Sequence, residues 1–284
     1  MNRLLPVKLA LIVILGVDFA SHPQATVAEE RTSVVMTTHM SRKLVWEDIE
    51  PGFSKLRYPV PVDDYQMISP EVLVLRFSPK RFLFRVVTAA DVSANRTFVK
   101  NLTVQSEAIV GINANFFDPE GRPLGLVISG NKKLQELHRG GNLLTGVFAV
   151  RNQQPMVEHR ADFKAMNVVE AFQAGPRLII DGKATELSTP RSLSRRSGVA
   201  ITTQGDVLLY VTTLRFPGVS LRQIQTMLLR PELSVADALN LDGGGSSQLY
   251  ISPRGQDAEL HVSGGDEIPV ALVVKRRVTA EPKR

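Results

Sequence analysis

The sequence predicts an α+β fold: a single domain built on an extensive mixed, largely antiparallel sheet with a few packed helices. Three observations carry this expectation. Runs rich in β-branched and aromatic residues recur along most of the chain, a strong helical period covers only one segment, and no repeat, low-complexity linker or compositional break follows the N-terminal segment.

The elements follow in chain order. Residues 1–28 begin with Arg3 and Lys8, continue through the apolar run 9–17 and reach Thr26-Val27-Ala28, a sequence a signal peptidase accepts. The apolar run is short for a bilayer span. The segment reads as an export signal or an uncleaved N-terminal anchor, which places the protein in the periplasm or outside the cell. Residues 29–105 read as the β-rich N-terminal part of the domain. Within it VLVLRFS (72–78) and FLFRVVT (82–88), separated by Pro79-Lys80-Arg81, read as a hairpin, and 96–104 carry a weak helical period. Residues 106–278 hold expected strands at 108–113, 124–128, 146–151, 178–180, 199–203, 207–213, 248–251 and 270–275. They also hold a weak helical period over 163–172 and a clear one over 220–230, where Leu221, Ile224, Met227 and Leu228 share a face behind Ser220 as N-cap. A short turn is expected at 234–238, and a basic tail closes the chain at 279–284.

Composition excludes several function classes. With 284 residues, 43% of them hydrophobic and 22% charged, the chain has ample material for a packed core. The 34 Lys and Arg exceed the 28 Asp and Glu, but they are dispersed, with no basic stripe interleaved with aromatics. Nucleic acid is therefore not an expected partner. The absence of cysteine removes disulfides, thiol nucleophiles and thiolate metal sites.

Four segments concentrate the residues suited to chemistry. The last, ALNLDGGGSSQLY, sets Asp242 ahead of Gly243, Gly244 and Gly245 and then Ser246 and Ser247, at the end of an apolar run. Three glycines permit positive φ and close ligand approach, and successive N–H groups can converge on an anion beside the carboxylate. The first, NANFFDPEGRPLGLVISG, presents the amides of Asn113 and Asn115 with Phe116 at a strand end, groups that suit hydrogen bonding and stacking on a sugar. The second, AGPRLIIDGK, has a Gly175-Pro176 turn into a strand and an Asp181-Gly182 turn out of it. The third, RRSGVAIT, offers Arg195 and Arg196 as guanidinium forks for phosphate oxygens.

In this order and spacing the four segments resemble the phosphodiester glycosidase family over roughly residues 107–274. The resemblance implies hydrolysis of a sugar–phosphate linkage. It carries functional elements onto Asn113 and Phe116, Gly175, Arg196, and Asp242, Gly243, Gly244 and Ser246. The first motif departs from the family in reading Asn-Ala-Asn-Phe-Phe where glycine usually precedes the aromatics.

Cleaving a glycosyl phosphodiester builds positive charge at the anomeric carbon while negative charge leaves on phosphate. Asp242 is accordingly expected as general base or electrostatic stabiliser. Arg196, with Arg195 and the Gly243, Gly244 and Gly245 amides, is expected to bind phosphate, and Asn113 with Phe116 to orient the sugar. Asp118 and Asp181 are candidates for a second carboxylate, each also explained as a turn residue. No cofactor is specified; Asp242, Asn113 and a phosphate oxygen could ligate a divalent cation, although no oxygen-ligand loop of the calcium type is present. A serine-hydrolase elbow lacks its closing glycine after Ser246-Ser247, the five histidines stand in no base motif, and residues 125–133 lack a nucleotide-binding Gly-Lys-Ser/Thr. The other reading is an exported glycan- or anion-binding protein without turnover. The two differ in whether Asn113, Arg196 and Asp242 converge.

Overall fold

The computed structural model describes residues 44–61, 69–189, 191–253 and 259–278. The expected export signal, His22, His39 and the basic tail lie outside them. In chain order the first described elements are β1 (Glu47–Glu50), β2 (Phe53–Pro59), β3 (Glu71–Phe77), β4 (Phe82–Thr88), α1 (Val99–Gln105), β5 (Val110–Asn113) and β6 (Val127–Ser129). There follow β7 (Lys132–Gln135), β8 (Gly146–Arg151), β9 (Gln154–His159), β10 (Val168–Ala174), β11 (Arg177–Ile180), β12 (Lys183–Ala184) and β13 (Ser197–Thr202). The remainder are β14 (Val207–Thr212), α2 (Leu221–Leu228), β15 (Val235–Asn240), β16 (Leu249–Ile251), β17 (Leu260–Val262) and β18 (Val270–Arg276).

The sheet-rich α+β class is as expected, and the strands divide among three sheets. One holds β1-β2-β3-β14-β13-β15-β11-β12, a second β7-β6-β10-β8-β9, and a third β17-β16-β5-β18-β4. The main core draws on all three, with Leu73, Leu75 and Phe77 of β3, Leu209 and Val211 of β14, Phe148 and Phe172 of the second sheet, and Ile112 and Leu272 of the third. β3 and β14 are buried on both faces, which is why they read as unbroken apolar runs. Their alternate residues Val72, Val74, Leu208 and Tyr210 meet Leu221, Ile224, Met227 and Leu228 of α2. That helix starts where the sequence says it should. The Ser220 hydroxyl accepts from Gln223 N at 3.2 Å while Gln223 Oε1 accepts from Ser220 N at 2.9 Å, a reciprocal cap. α1 covers the third sheet through Val99 and Leu102 against Tyr250, Ala271 and Val273.

Three sequence expectations are corrected. The supposed hairpin at 72–78 and 82–88 is a corner: β3 pairs with β2 and β14, whereas β4 pairs with β18 in another sheet. Both strands have an apolar face for the shared core, and the turn at 79–81 serves either arrangement. The weak helical period at 163–172 yields to β10, whose neighbours β8 and β6 supply its hydrogen-bond partners; Val168 and Val169 favour that outcome. Finally, 234–238 is a turn only at Ser234 (φ 50°), after which β15 lies between β13 and β11 despite carrying Asp237.

The second and third sheets are joined by side chains. β4 is an edge strand of its sheet. The backbone N–H of Val86 donates to Glu170 Oε2 at 2.9 Å, and the Ser129 hydroxyl donates to Val86 O at 2.7 Å. Glu170, whose side chain is 2% exposed, also faces Arg85 Nε at 2.5 Å and accepts from Gly130 N at 3.3 Å. Replacing Glu170 by Ala strands the buried Val86 N–H and removes the partner of Gly130 N and of the Arg85 guanidinium, and should cost about 2–3 kcal/mol in urea unfolding. Glu170→Gln retains an acceptor and should cost clearly less.

Candidate active site

The glycine segment is where the chain passes from the first sheet to the third. β15 ends at Asn240, residues 244–246 make one 3-10 turn, and β16 begins at Leu249. The entrance and exit of this crossing are held by one side chain. Asn113, the last residue of β5 and fully buried, donates from Nδ2 to Asp242 O at 2.8 Å and accepts at Oδ1 from Gln248 N at 3.1 Å. The Ser197 hydroxyl gives Asp242 O a second donor at 3.1 Å, and Asp242 N donates to Ala114 O at 3.1 Å. With backbone and carbonyl fixed, the Asp242 carboxylate accepts from the Ser246 hydroxyl and the Gly243 N–H.

Burial pushes the Asp242 carboxyl up to about 6, and nearby Asp266 adds to the rise; the hydrogen bonds from Ser246 and Gly243 oppose it. Asp266 is the second carboxylate of the site. Gly265 N and Asp266 N both donate to Gly245 O, at 2.7 and 3.1 Å, and a Cβ on Gly245 would collide with the Asp266 carboxylate. Gln248 anchors the same turn, donating to Asp266 O at 2.9 Å and accepting from Val99 N of α1 at 2.8 Å.

Each glycine has its own requirement. Gly244 has φ 60°, the left-handed region that strains other residues. Gly245 must admit Asp266, and a Cβ on Gly243 would stand 3.0 Å from Arg195 O and 3.7 Å from Arg196 Nη1. The expected amide cradle is smaller than its sequence suggests. Gly244 N donates to Arg195 O at 3.0 Å and Gly243 N to the Asp242 carboxylate, so both are occupied within the loop.

Asn113, Arg196 and Asp242 do converge on this loop. Arg196 Nη1 lies beside Gly243, but its other donors are engaged outside the loop, Nε donating to Val219 O at 3.0 Å and Nη2 to Ser192 O at 2.6 Å. Arg195 differs: its side chain is 7% exposed and its buried Nε has no hydrogen-bond partner. Asn115 is 2% exposed with both amide atoms unpartnered, and the buried Ser247 hydroxyl is likewise free. Buried polar groups are nearly always satisfied, so the unpartnered ones gathered beside this loop make it the candidate site for a ligand. Phe116, half-buried, follows Asn115 directly. Gly175 lies at another sheet crossing, between β10 and β11, where its φ is 156° and a Cβ would collide with Leu143 O; its carbonyl accepts from Asn240 Nδ2 at 2.9 Å. It shapes the backbone beside the loop.

Neither sequence candidate for the second carboxylate contacts the loop. Asp118 pairs with Arg122 at 2.6 Å and closes its own turn. Asp181 (φ 47°) forms with Gly182 (φ 73°) the two-residue connection between β11 and β12. Asp266 was legible only as Gly264-Gly265-Asp266, a shorter echo of the Asp-Gly-Gly-Gly stretch. Among the described residues no three His, Cys, Asp or Glu side chains gather as a cluster able to hold a metal ion.

Two outcomes follow from this geometry. Asn113→Asp cannot donate to Asp242 O and should cost about 2–3 kcal/mol of stability, read by urea unfolding. Asp242 has a folded pKa near 6, above its ordinary value of about 4. Its contribution to stability is therefore fully present below about pH 4 and is lost as pH rises through 6. Asp242→Asn does not titrate, so its melting temperature should gain on the wild type between pH 4 and 7.

Comparison with known proteins bears on the fold and the family. The chain superposes on the catalytic domain of zebrafish N-acetylglucosamine-1-phosphodiester alpha-N-acetylglucosaminidase, auto-inhibited by its pro-peptide, with a TM-score of 0.61 and 17% identity over 85% of this chain and 91% of that one. A hypothetical protein from Synechocystis gives 0.57 at 17% identity, covering 84% of this chain and 64% of that one. A protein from Burkholderia pseudomallei gives 0.51 at 13% identity, covering 73% and 74%. These likenesses concern the fold. No curated protein matches the sequence. The family description phosphodiester glycosidase matches residues 106–275, more than half the chain and the whole of the crossing built around Asp242, and the chain belongs to that family.

Proposed function

We propose that this protein hydrolyses the bond between an anomeric carbon and a phosphate oxygen in a sugar-1-phosphodiester. The observation that carries this reading is the pairing of a buried, proton-hungry carboxylate, Asp242, with the buried and unpartnered guanidinium of Arg195 around one glycine loop. A glycosyl phosphodiester places incipient positive charge at the sugar and negative charge at the phosphate, and the two groups match those signs.

In the proposed reaction the C1–O bond breaks and its electron pair leaves with phosphate. A phosphate monoester is a weak base, so departure needs cations more than a proton. Water adds to C1, and Asp242 accepts the proton that it loses. Asn113 holds Asp242 in place through its main chain, while the free amide of Asn115 and the ring of Phe116 meet the sugar. We place Arg195 ahead of Arg196 at the phosphate because Arg196 Nε and Nη2 are already engaged by carbonyls. Any divalent cation would meet Asp242, Asp266 and substrate oxygens. By the same reading, and from the N-terminal pattern, the substrate lies in the periplasm or outside the cell.

A panel of sugar-1-phosphodiesters, with and without divalent metal and chelator, tests the activity. Turnover of at least one is expected, rising with pH through about 6 as Asp242 ionises. Asp242→Asn should lower kcat by about 100-fold or more while melting no lower than the wild type at pH 7. Folded wild-type protein that turns over no member would support instead the glycan- or anion-binding reading.

A further inference from the structure

The Arg195 guanidinium has an unusual neighbour. Antiparallel pairing continues past β13 and β14, with Thr212 N donating to Arg196 O at 2.8 Å, and resumes at the isolated bridge between Ser194 and Val219. Residues 213–218 bulge out between those two points, alongside Arg195, and carry Arg215. Arg215 Nη2 makes a long contact of 3.4 Å to Gly264 O, one residue before the N–H groups that donate to Gly245 O. Since Gly244 N donates to Arg195 O, both arginines are fastened to the two strands of chain that frame the Asp242–Asp266 region.

The two guanidiniums are close enough to interact. Burial lowers the proton affinity of Arg195, and the charge of Arg215 lowers it further. No described residue supplies Arg195 with an ion pair or a side-chain hydrogen bond. A buried cation beside a second cation, without an ion pair from any described residue, is a costly arrangement in the free protein. An anion bound between them removes the cost: it relieves the repulsion and gives the stranded Nε an acceptor.

We propose that Arg195 and Arg215 together form the phosphate subsite beside the glycine loop, with Arg215, on the 213–218 bulge, closing the site over the anion from the solvent side. The identity of the anion as the phosphate of a glycosyl diester rests on the hydrolase reading above; the anion site itself does not. Arg215 belongs to none of the four sequence motifs.

Inorganic phosphate is the probe. Thermal melts in phosphate and in chloride at matched ionic strength should show phosphate-specific stabilisation of the wild type. Arg215→Gln should weaken phosphate binding about tenfold or more. Without phosphate it should melt no lower than the wild type, because one of two like charges is gone; a residue that merely braced the Gly264 loop would lower it. Arg195→Lys should weaken binding as well, through loss of the fork, and if it fails to fold, Arg215→Gln alone decides. Asp242→Asn should bind phosphate like the wild type. Loss of phosphate binding in Arg215→Gln with no diester turned over by the wild type keeps the anion site and overturns the hydrolase reading. Turnover with unchanged KM and phosphate affinity in Arg215→Gln overturns this inference, as does absence of any phosphate-specific stabilisation of the wild type.

Discussion

The site depends on the amide of Asn113. One planar group supplies a donor to Asp242 O and an acceptor to Gln248 N, and so bolts both ends of the sheet crossing to the end of β5. No other side chain type of that size offers a donor and an acceptor in fixed mutual geometry at neutral charge. Because Asn113 is fully buried, both bonds are sheltered from water, and the crossing has little freedom to relax. The placement of Asp242, the turn at 244–246 and the approach of residues 264–266 all follow from that clamp.

Around it the structure accumulates features that oppose stability. Asp242 is ionised only against the cost of burial, Arg195 is buried without a counter-ion, and Asn115 and Ser247 hold buried polar atoms without partners. Glu170 shows the opposite habit: its buried carboxylate is saturated by two N–H groups and a guanidinium. The contrast separates a structural charge from charges kept available. Groups already oriented for a ligand need little reorganisation when it arrives, which is the physical basis of electrostatic catalysis.

The three sheets explain why such a site can be held. The chain changes sheet near Pro79, between Asn113 and Val127, at Gly175-Pro176 and through Asp242 to Gln248. The latter two are linked to each other, since Asn240 Nδ2 donates to Gly175 O. Crossings that share hydrogen bonds move together or not at all, and the shared apolar core behind them resists deformation.

The sequence by itself determined the strand-rich class, the capped helix at 221–228, the Asp181-Gly182 turn and the glycine loop with its carboxylate. All of these rest on local preferences: β-branched runs, a reciprocal cap, residues that accept positive φ. It also named Asn113, Asn115 and Arg195, though it ranked Arg196 above Arg195, because adjacent arginines are chemically alike until one knows which carbonyls lie nearby. Only tertiary structure decided that 72–78 and 82–88 belong to different sheets, that 168–174 is a strand, and that Asp266 and Arg215 stand at the loop. Those outcomes depend on partners far along the chain, and a side chain's identity does not state which distant backbone it will meet.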